Sequence, residues 1–524
     1  MRIRRPATLG AAAVAAMALA LTGCSSGSGS TGTAASSDAG QPVAGGDLTI
    51  ARTGQNVSDL DPVAETLTSN NAYTLDKIFD TLVTQDGDGQ LQPSLATEWE
   101  TSSDGLTWTF TLRDGVKFSN GDALTAKDVV YSIERHLKVG GALPLSAPIK
   151  TVKAVNDTTV EITLKTAYTP LATELATFAS SIVPDDLDGK SATEFFADPV
   201  GTGPFKVGTW DKNGSSFELV KNDNYWQTGK PYLNSVTYTT VSDDNSLVQQ
   251  LQGQQVDVIT DVPPANVAAL KANTALSVDT VGSFNQDEVF FNTSTGPFAD
   301  RDLRRAVAQA VDRASLTATT TFGTGTTGTT YIPANVRYSD QNADVLKYDV
   351  AAAKADLEKA GAAGTTVTLL VESGSQTRGQ QAQIIQDALK QIGLTVEIKQ
   401  QDSATFWTTF PAKDYEFALT TVIADTGDPD NITYWQVDSN GVSDSFHTGY
   451  QNAEVDKLAA QGRETPDGDE RKGVYEKIQD LVSQDSPTLS LDYAASIAAT
   501  QANVHGLELI PNGTVQLQDA WIAK

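Results

Sequence analysis

Three carboxylates crowd one short stretch of the chain. Asp425, Asp428 and Asp430 lie in FALTTVIADTGDPDNITYW, residues 417–435. They follow a β-rich apolar run, Phe417 to Ile423, that stops just before them. Ligands of open α/β sheets bind beyond the carboxyl ends of the strands, so acids placed there face a crevice. A carboxylate in such a place suits a positively charged group on a small solute. Asp428 has a plainer reading. It precedes Pro429, the pattern of a helix N-cap with proline at the first helical position. Asp425 stands between an anionic anchor and a turn residue, and the spacing gives Asp430 no role.

Other chemistry is thin. Cys24 is the single cysteine, and His136, His447 and His505 are the only histidines. None has the spacing of a zinc site. No Gly-x-x-x-x-Gly-Lys-Ser/Thr loop is present, so ATP hydrolysis would fall to a partner. Residues 323–328 do spell G-x-G-x-x-G. They follow a helical segment, Leu303 to Leu316, and run into Tyr331-Ile332-Pro333, which predicts a loop and not a dinucleotide site. No Ser/His/Asp arrangement can be argued from spacing. The expectation is binding without catalysis, cofactor or metal. The net charge of −28 argues against nucleic acid, whose phosphates demand a basic footprint.

The elements that must position these residues are legible in outline. Asp47 to Arg52 reads as a first strand, and Ala72 to Leu82 has helical spacing. A meander follows: Glu98 to Thr101, a turn, then the alternating Leu106 to Leu112, then Val116 to Phe118. Thr125 with Asp128 approximates a capping box opening a helix from Ala126 to Leu137. Val367 to Val371, the helix Gln380 to Ile392 closed by Gly393, and Leu394 to Lys399 form a βαβ unit with a parallel pair. Phe406 to Phe410 is a short helical turn. Val455 to Gln461 and Glu470 to Val482 are helical, and Thr488 to Asp492 is a strand.

The N-terminus reads as a targeting segment. Arg2, Arg4 and Arg5 precede an apolar run, Leu9 to Leu21, that is too short for an ordinary membrane span. It ends in Leu21-Thr22-Gly23-Cys24, similar to a bacterial lipobox, which makes residues 1–23 a signal peptide and Cys24 a lipidation site. Residues 24–46, rich in Ser, Gly, Thr and Ala, then serve as a flexible tether. The expectation is a protein held at the outer face of the cell membrane, not through it.

One long stretch carries a resemblance. Residues 91–135 read LQPSLATEWETSSDGLTWTFTLRDGVKFSNGDALTAKDVVYSIER. This resembles the signature of the family 5 extracellular solute-binding proteins, the peptide and nickel receptors of ABC importers. Further matches are VGTGPF at 200–205, Asn222 to Trp226, FFNT at 290–293 and Tyr348 to Gly361. The resemblance implies an α/β, two-lobe periplasmic-binding-protein-like fold of the class II (cluster C) type. The first lobe would hold 47–282 and 497–524, with an extra α+β subdomain at about 65–198. The second would hold 289–490, with hinge crossovers at 283–288 and 491–496, and closure would be a hinge motion.

The resemblance also implies a site. Asp425 aligns with the carboxylate that holds a peptide's α-ammonium, although Val422-Ile423-Ala424 stands where peptide receptors carry a tryptophan. Arg378 is the candidate partner for a ligand carboxylate. Phe284, Trp407, Trp435 and Tyr73 are candidate aromatic walls. Backbone at Asn56 and at Asn285 could pair with an extended peptide. His447 would matter only for a nickel chelate. The partners implied are a peptide or other amine-bearing solute, a permease and an ATPase, with the receptor itself monomeric. Alternatives are a nickel chelate, an oligosaccharide or an opine-like amine in the same fold, or a sensor or chaperone lipoprotein serving no transporter.

Overall fold

Two sheets carry the fold in a computed structural model, which describes residues 40–524 apart from 55, 56, 58, 67–70, 212–214, 242, 344, 442, 443, 445 and 446. Cys24, most of the tether and Asn56 lie outside the described residues. Residues 42–524 form one compact unit.

The first sheet has seven strands. Its centre is Asp47–Arg52, which runs parallel to Ser235–Thr240 with Ile50 opposite Tyr238. Alternation buries Leu48 and Ile50 together with Phe217, Leu219 and Val236. A four-stranded antiparallel sheet is added to this lobe: Ala96–Thr101, Thr107–Leu112, Thr159–Leu164 and Ile149–Asn156. The helix Ala126–Val139 covers it, sharing a core of Phe110, Val129, Ile133 and Ile162. The capping box is formed: Asp128 Oδ2 accepts from the Thr125 backbone N–H at 2.7 Å, while Thr125 Oγ1 accepts from Lys127 N–H.

The second sheet has six strands. Phe417–Ile423 lies inside it, antiparallel to Asn285–Phe291 and parallel to Thr366–Glu372. Covered on both faces, it is apolar along most of its length instead of alternating. Thr366–Glu372 also pairs in parallel with Thr395–Gln401, and the helix Gln376–Ile392 between them ends at Gly393 in the left-handed conformation.

The chain passes between the sheets twice. Leu276–Gly282 belongs to the first and Asn285–Phe291 to the second, leaving only Ser283 and Phe284 between. Thr488–Tyr493 and Ala495–Gln501 are divided by Ala494 alone. The two passages are tied together, because the Ser283 hydroxyl donates to the Ala494 carbonyl.

Three elements differ from expectation. The helix at Ala72 ends at Ile78, not Leu82, because Phe79 turns extended (φ −118°, ψ 146°) and feeds the strand Val83–Gln85. The segment 303–316 is two helices, Arg301–Ala310 and Arg313–Thr320. Asp312 interrupts it and caps the second helix through Ser315 N–H. Val116 to Phe118 is no strand, since only Lys117 forms a bridge there, to Ala123.

Candidate functional site

A cavity of about 250 Å³ lies between the two lobes. On the first-lobe side, the end of the helix Ala72–Ile78 supplies Asp76, Phe79 and Asp80. The hairpin Val83–Gln85/Leu91–Pro93 supplies Gln85, Asp86 and Gln92. Tyr225, Trp226 and Phe178 add aromatic surface, and the C-terminal tail adds Glu508 and Asn512. The second lobe contributes Ile423 and Asp425, the end of one strand and the turn beyond it.

The loop carrying Asp425 is held from several directions. Its backbone N–H donates to Asn431 Oδ1 at 3.0 Å. Its carbonyl accepts from Gln85 Nε2 at 3.4 Å, while Gln85 Oε1 accepts from Gly427 N–H at 2.8 Å. The three acids separate by role. Asp428 is the expected N-cap, accepting from Asp430 N–H at 2.9 Å. It also forks onto the buried Arg471, with N–O distances of 2.7 and 2.8 Å. Asp430 is buried, and burial raises its pKa against the pull of Arg463. It accepts from Arg463 Nε at 2.8 Å and from Tyr168 of the first lobe at 3.1 Å. Asp428 and Asp430 are thus neutralised within the protein, and Asp425, half-buried, lines the cavity.

A smaller pocket of about 40 Å³ lies on the other side of Asp425. Trp435, Tyr434, Tyr168 and Glu174 line it. Burial pushes the Glu174 carboxyl up to about 7, although the Ser146 hydroxyl (2.6 Å) and backbone N–H donate to it.

The structure thus brings Asp425 and Trp435 to the cleft, Asn56 lies outside the described residues, and the remaining expected site residues line neither pocket. Arg378 is not among the cavity-lining residues; its guanidinium meets Glu372 at 3.4 Å and donates to Thr421 Oγ1 at 3.1 Å. Tyr73 belongs to the first-lobe core, with Arg52 stacked 3.9 Å over its ring and its hydroxyl on Asp261. Trp407 is exposed and packs edge-on against Phe406 and Phe410. Phe284 is buried at the crossover, so close that a Cβ on Gly89 would come within 2.7 Å of its ring. Asn285 follows it on the strand, its N–H donating to Ser283 Oγ. His447 packs edge-on against Phe410, and burial lowers its pKa to about 4. No group of three His, Cys, Asp or Glu among the described residues could hold a metal ion.

Several lining residues were not anticipated. Trp226 sits in the Asn222 to Trp226 motif, which gave no hint of a role. Asp76 lies in the helix Ala72–Ile78 and Asp80 just beyond it, a polar pair hidden beneath the apolar periodicity of residues 72–82.

The lobes are bridged around the cavity. Besides Gln85 and Tyr168, Thr169 N–H donates to the Arg463 carbonyl at 2.8 Å, and the Thr169 hydroxyl donates to the Thr465 carbonyl at 2.9 Å. No helix among the described residues is long and apolar enough to cross a membrane.

The chain has clear relatives. It is 28% identical over 486 residues to the glutathione-binding protein GsiB of Escherichia coli strain 536, covering 90% of this chain and 94% of that one. The ABC transporter-associated periplasmic binding protein DppA of Helicobacter pylori, solved with the peptide STSA, superposes with a TM-score of 0.82 at 25% identity. That match covers 92% of this chain and 99% of that one. AgaA of A. tumefaciens R10, solved with agropinic acid, gives 0.81 at 29% identity, covering 91% and 99%. Residues 90–444 match the middle region of a family of receptors and not of enzymes, and the chain belongs to it: the bacterial extracellular solute-binding proteins, family 5.

Proposed function

We propose that this chain is the extracytoplasmic receptor of an ABC importer. It captures a short peptide between its lobes and hands it to a permease driven by a separate ATPase. One observation carries the reading: Asp425 lines an interlobe cavity, just past the end of a second-lobe strand, on a loop held from both lobes. A charge held in place before the ligand arrives loses little to reorganisation on binding. Asp425 takes the ligand's ammonium, and Trp435 flanks the small pocket beside it. The peptide complex of DppA and the glutathione-binding relatives support the same ligand class. Cys24 would carry the lipid, residues 25–46 would be the tether, and the receptor would work as a monomer at the outer face of the membrane.

A second reading keeps the receptor and changes the solute to an opine-like amine. AgaA with agropinic acid favours it, and Asp425 serves an amine of either kind. Native mass spectrometry of protein purified from its host separates the readings. The added mass of a di- to pentapeptide is the expected result. An opine mass selects the second reading, and a sugar or a metal chelate overturns both.

A further inference from the structure

We propose that the cavity selects ligands with a second positive group, such as a peptide carrying a basic side chain, because both of its walls present carboxylates and neither presents a cation. The inference rests on reading this cavity as the ligand site. Asp76, Asp80, Asp86 and Glu508 line it from the first lobe and Asp425 from the second. Among the described residues, no Lys, Arg or His lines it.

Asp76 is the most telling. Its Oδ2 accepts from Lys77 Nζ at 2.6 Å, but Lys77 is buried in the first lobe and does not reach the cavity surface. Its Oδ1 is buried, and the Thr514 side chain lies beside the carboxylate. Because Asp76 lines the cavity and Lys77 does not, the pair presents its negative end to the ligand space. Asp80 lies four residues on, lining the same cavity, with Oδ2 accepting from Trp226 Nε1 at 3.0 Å. Tyr225 and Trp226 supply aromatic faces that attract a cation, as the Arg113 guanidinium 4.3 Å over Trp226 already shows. An acidic side chain in the same space would face these carboxylates with no lining cation to offset them.

Calorimetry of the full chain with Ala-Lys-Ala, Ala-Ala-Ala, Ala-Glu-Ala and 1,4-diaminobutane tests this. Ala-Lys-Ala is expected to bind about tenfold tighter than Ala-Ala-Ala, the scale of one additional charge pair, with Ala-Glu-Ala weakest. Asp76→Asn alone would strand the Lys77 charge, so the double variant Asp76→Asn, Lys77→Met is used, its folding checked by circular dichroism. It should cut the lysine advantage to about threefold or less. Equal or tighter binding of Ala-Ala-Ala or Ala-Glu-Ala overturns the proposal, and an undiminished lysine advantage in the folded double variant overturns the part given to Asp76. If the diamine binds and no tripeptide does, cation selection stands and the peptide reading fails. If nothing binds, both fall.

Discussion

At the scale of the residue, one acid is presented by a loop that its neighbours hold in place. Asp428 and Asp430 are spent on Arg471, Arg463 and a helix start, and they fix the loop that presents Asp425. Asp425→Ala should therefore cost on the order of 2–5 kcal/mol in peptide affinity by calorimetry. An unchanged affinity would remove Asp425 from the site. The cap at Asp428 was legible because capping is local, an Asp before a Pro. Asp430 was not, because its partners Arg463 and Tyr168 lie 33 and 262 residues away in the chain. The aromatic candidates show the same limit. Tyr73 and Trp407 are the right type for a pocket wall, yet one is sealed in a core and the other faces solvent. Helical spacing gives a residue's face, not what that face meets.

At the scale of the element, the strand Asn285–Phe291 carries an unusual burden. Glu288 is fully buried inside it and accepts from the Gln436 side chain, while its Oε1 has no partner. Burial pushes its carboxyl up to about 8, so the folded state favours the protonated form. The ordinary pKa in an unfolded chain is near 4.5. The stabilisation is therefore complete below about pH 4.5 and is lost as pH rises toward 8. Glu288→Gln should be close to neutral in thermal unfolding at about pH 5 and stabilising by roughly 2–4 kcal/mol near pH 8. Parallel melting curves of variant and parent at both pH values would show that Glu288 stays charged in the folded protein. No sequence rule reveals such a residue, since an acid just ahead of the apolar FFNT reads as a polar strand start. Elements with their own punctuation were another matter. The capping box at Thr125, the βαβ closed by Gly393 and the strand Phe417–Ile423 all carry local signals that tertiary packing did not override. The helix from Ala72 failed because the apolar spacing continues through Phe79 and Leu82 while the backbone has already turned to build the hairpin.

At the scale of the molecule, one first-lobe side chain takes part in closure. Gln85 holds the carbonyl of Asp425 and the amide of Gly427 from across the cleft. Gln85→Ala removes both hydrogen bonds and touches no ligand charge. It should lower apparent affinity by about three- to tenfold and enlarge the ligand-free protein in X-ray scattering, as the closed population falls. Unchanged scattering and affinity would show that the bridge does not contribute to closure. The two-lobe plan was readable from the long ordered resemblance around residues 91–135, but no local signal foretold that a single glutamine reaches across. The paired crossovers at Ser283-Phe284 and Ala494 set how the lobes meet. Two short linkers pinned to one another hold each lobe in the other's immediate neighbourhood, so one lobe meets the other at a high effective concentration. Docking the lobes is then an intramolecular step, with most of its translational and rotational entropy cost already met by the covalent chain. A small solute needs to add only the last increment of free energy.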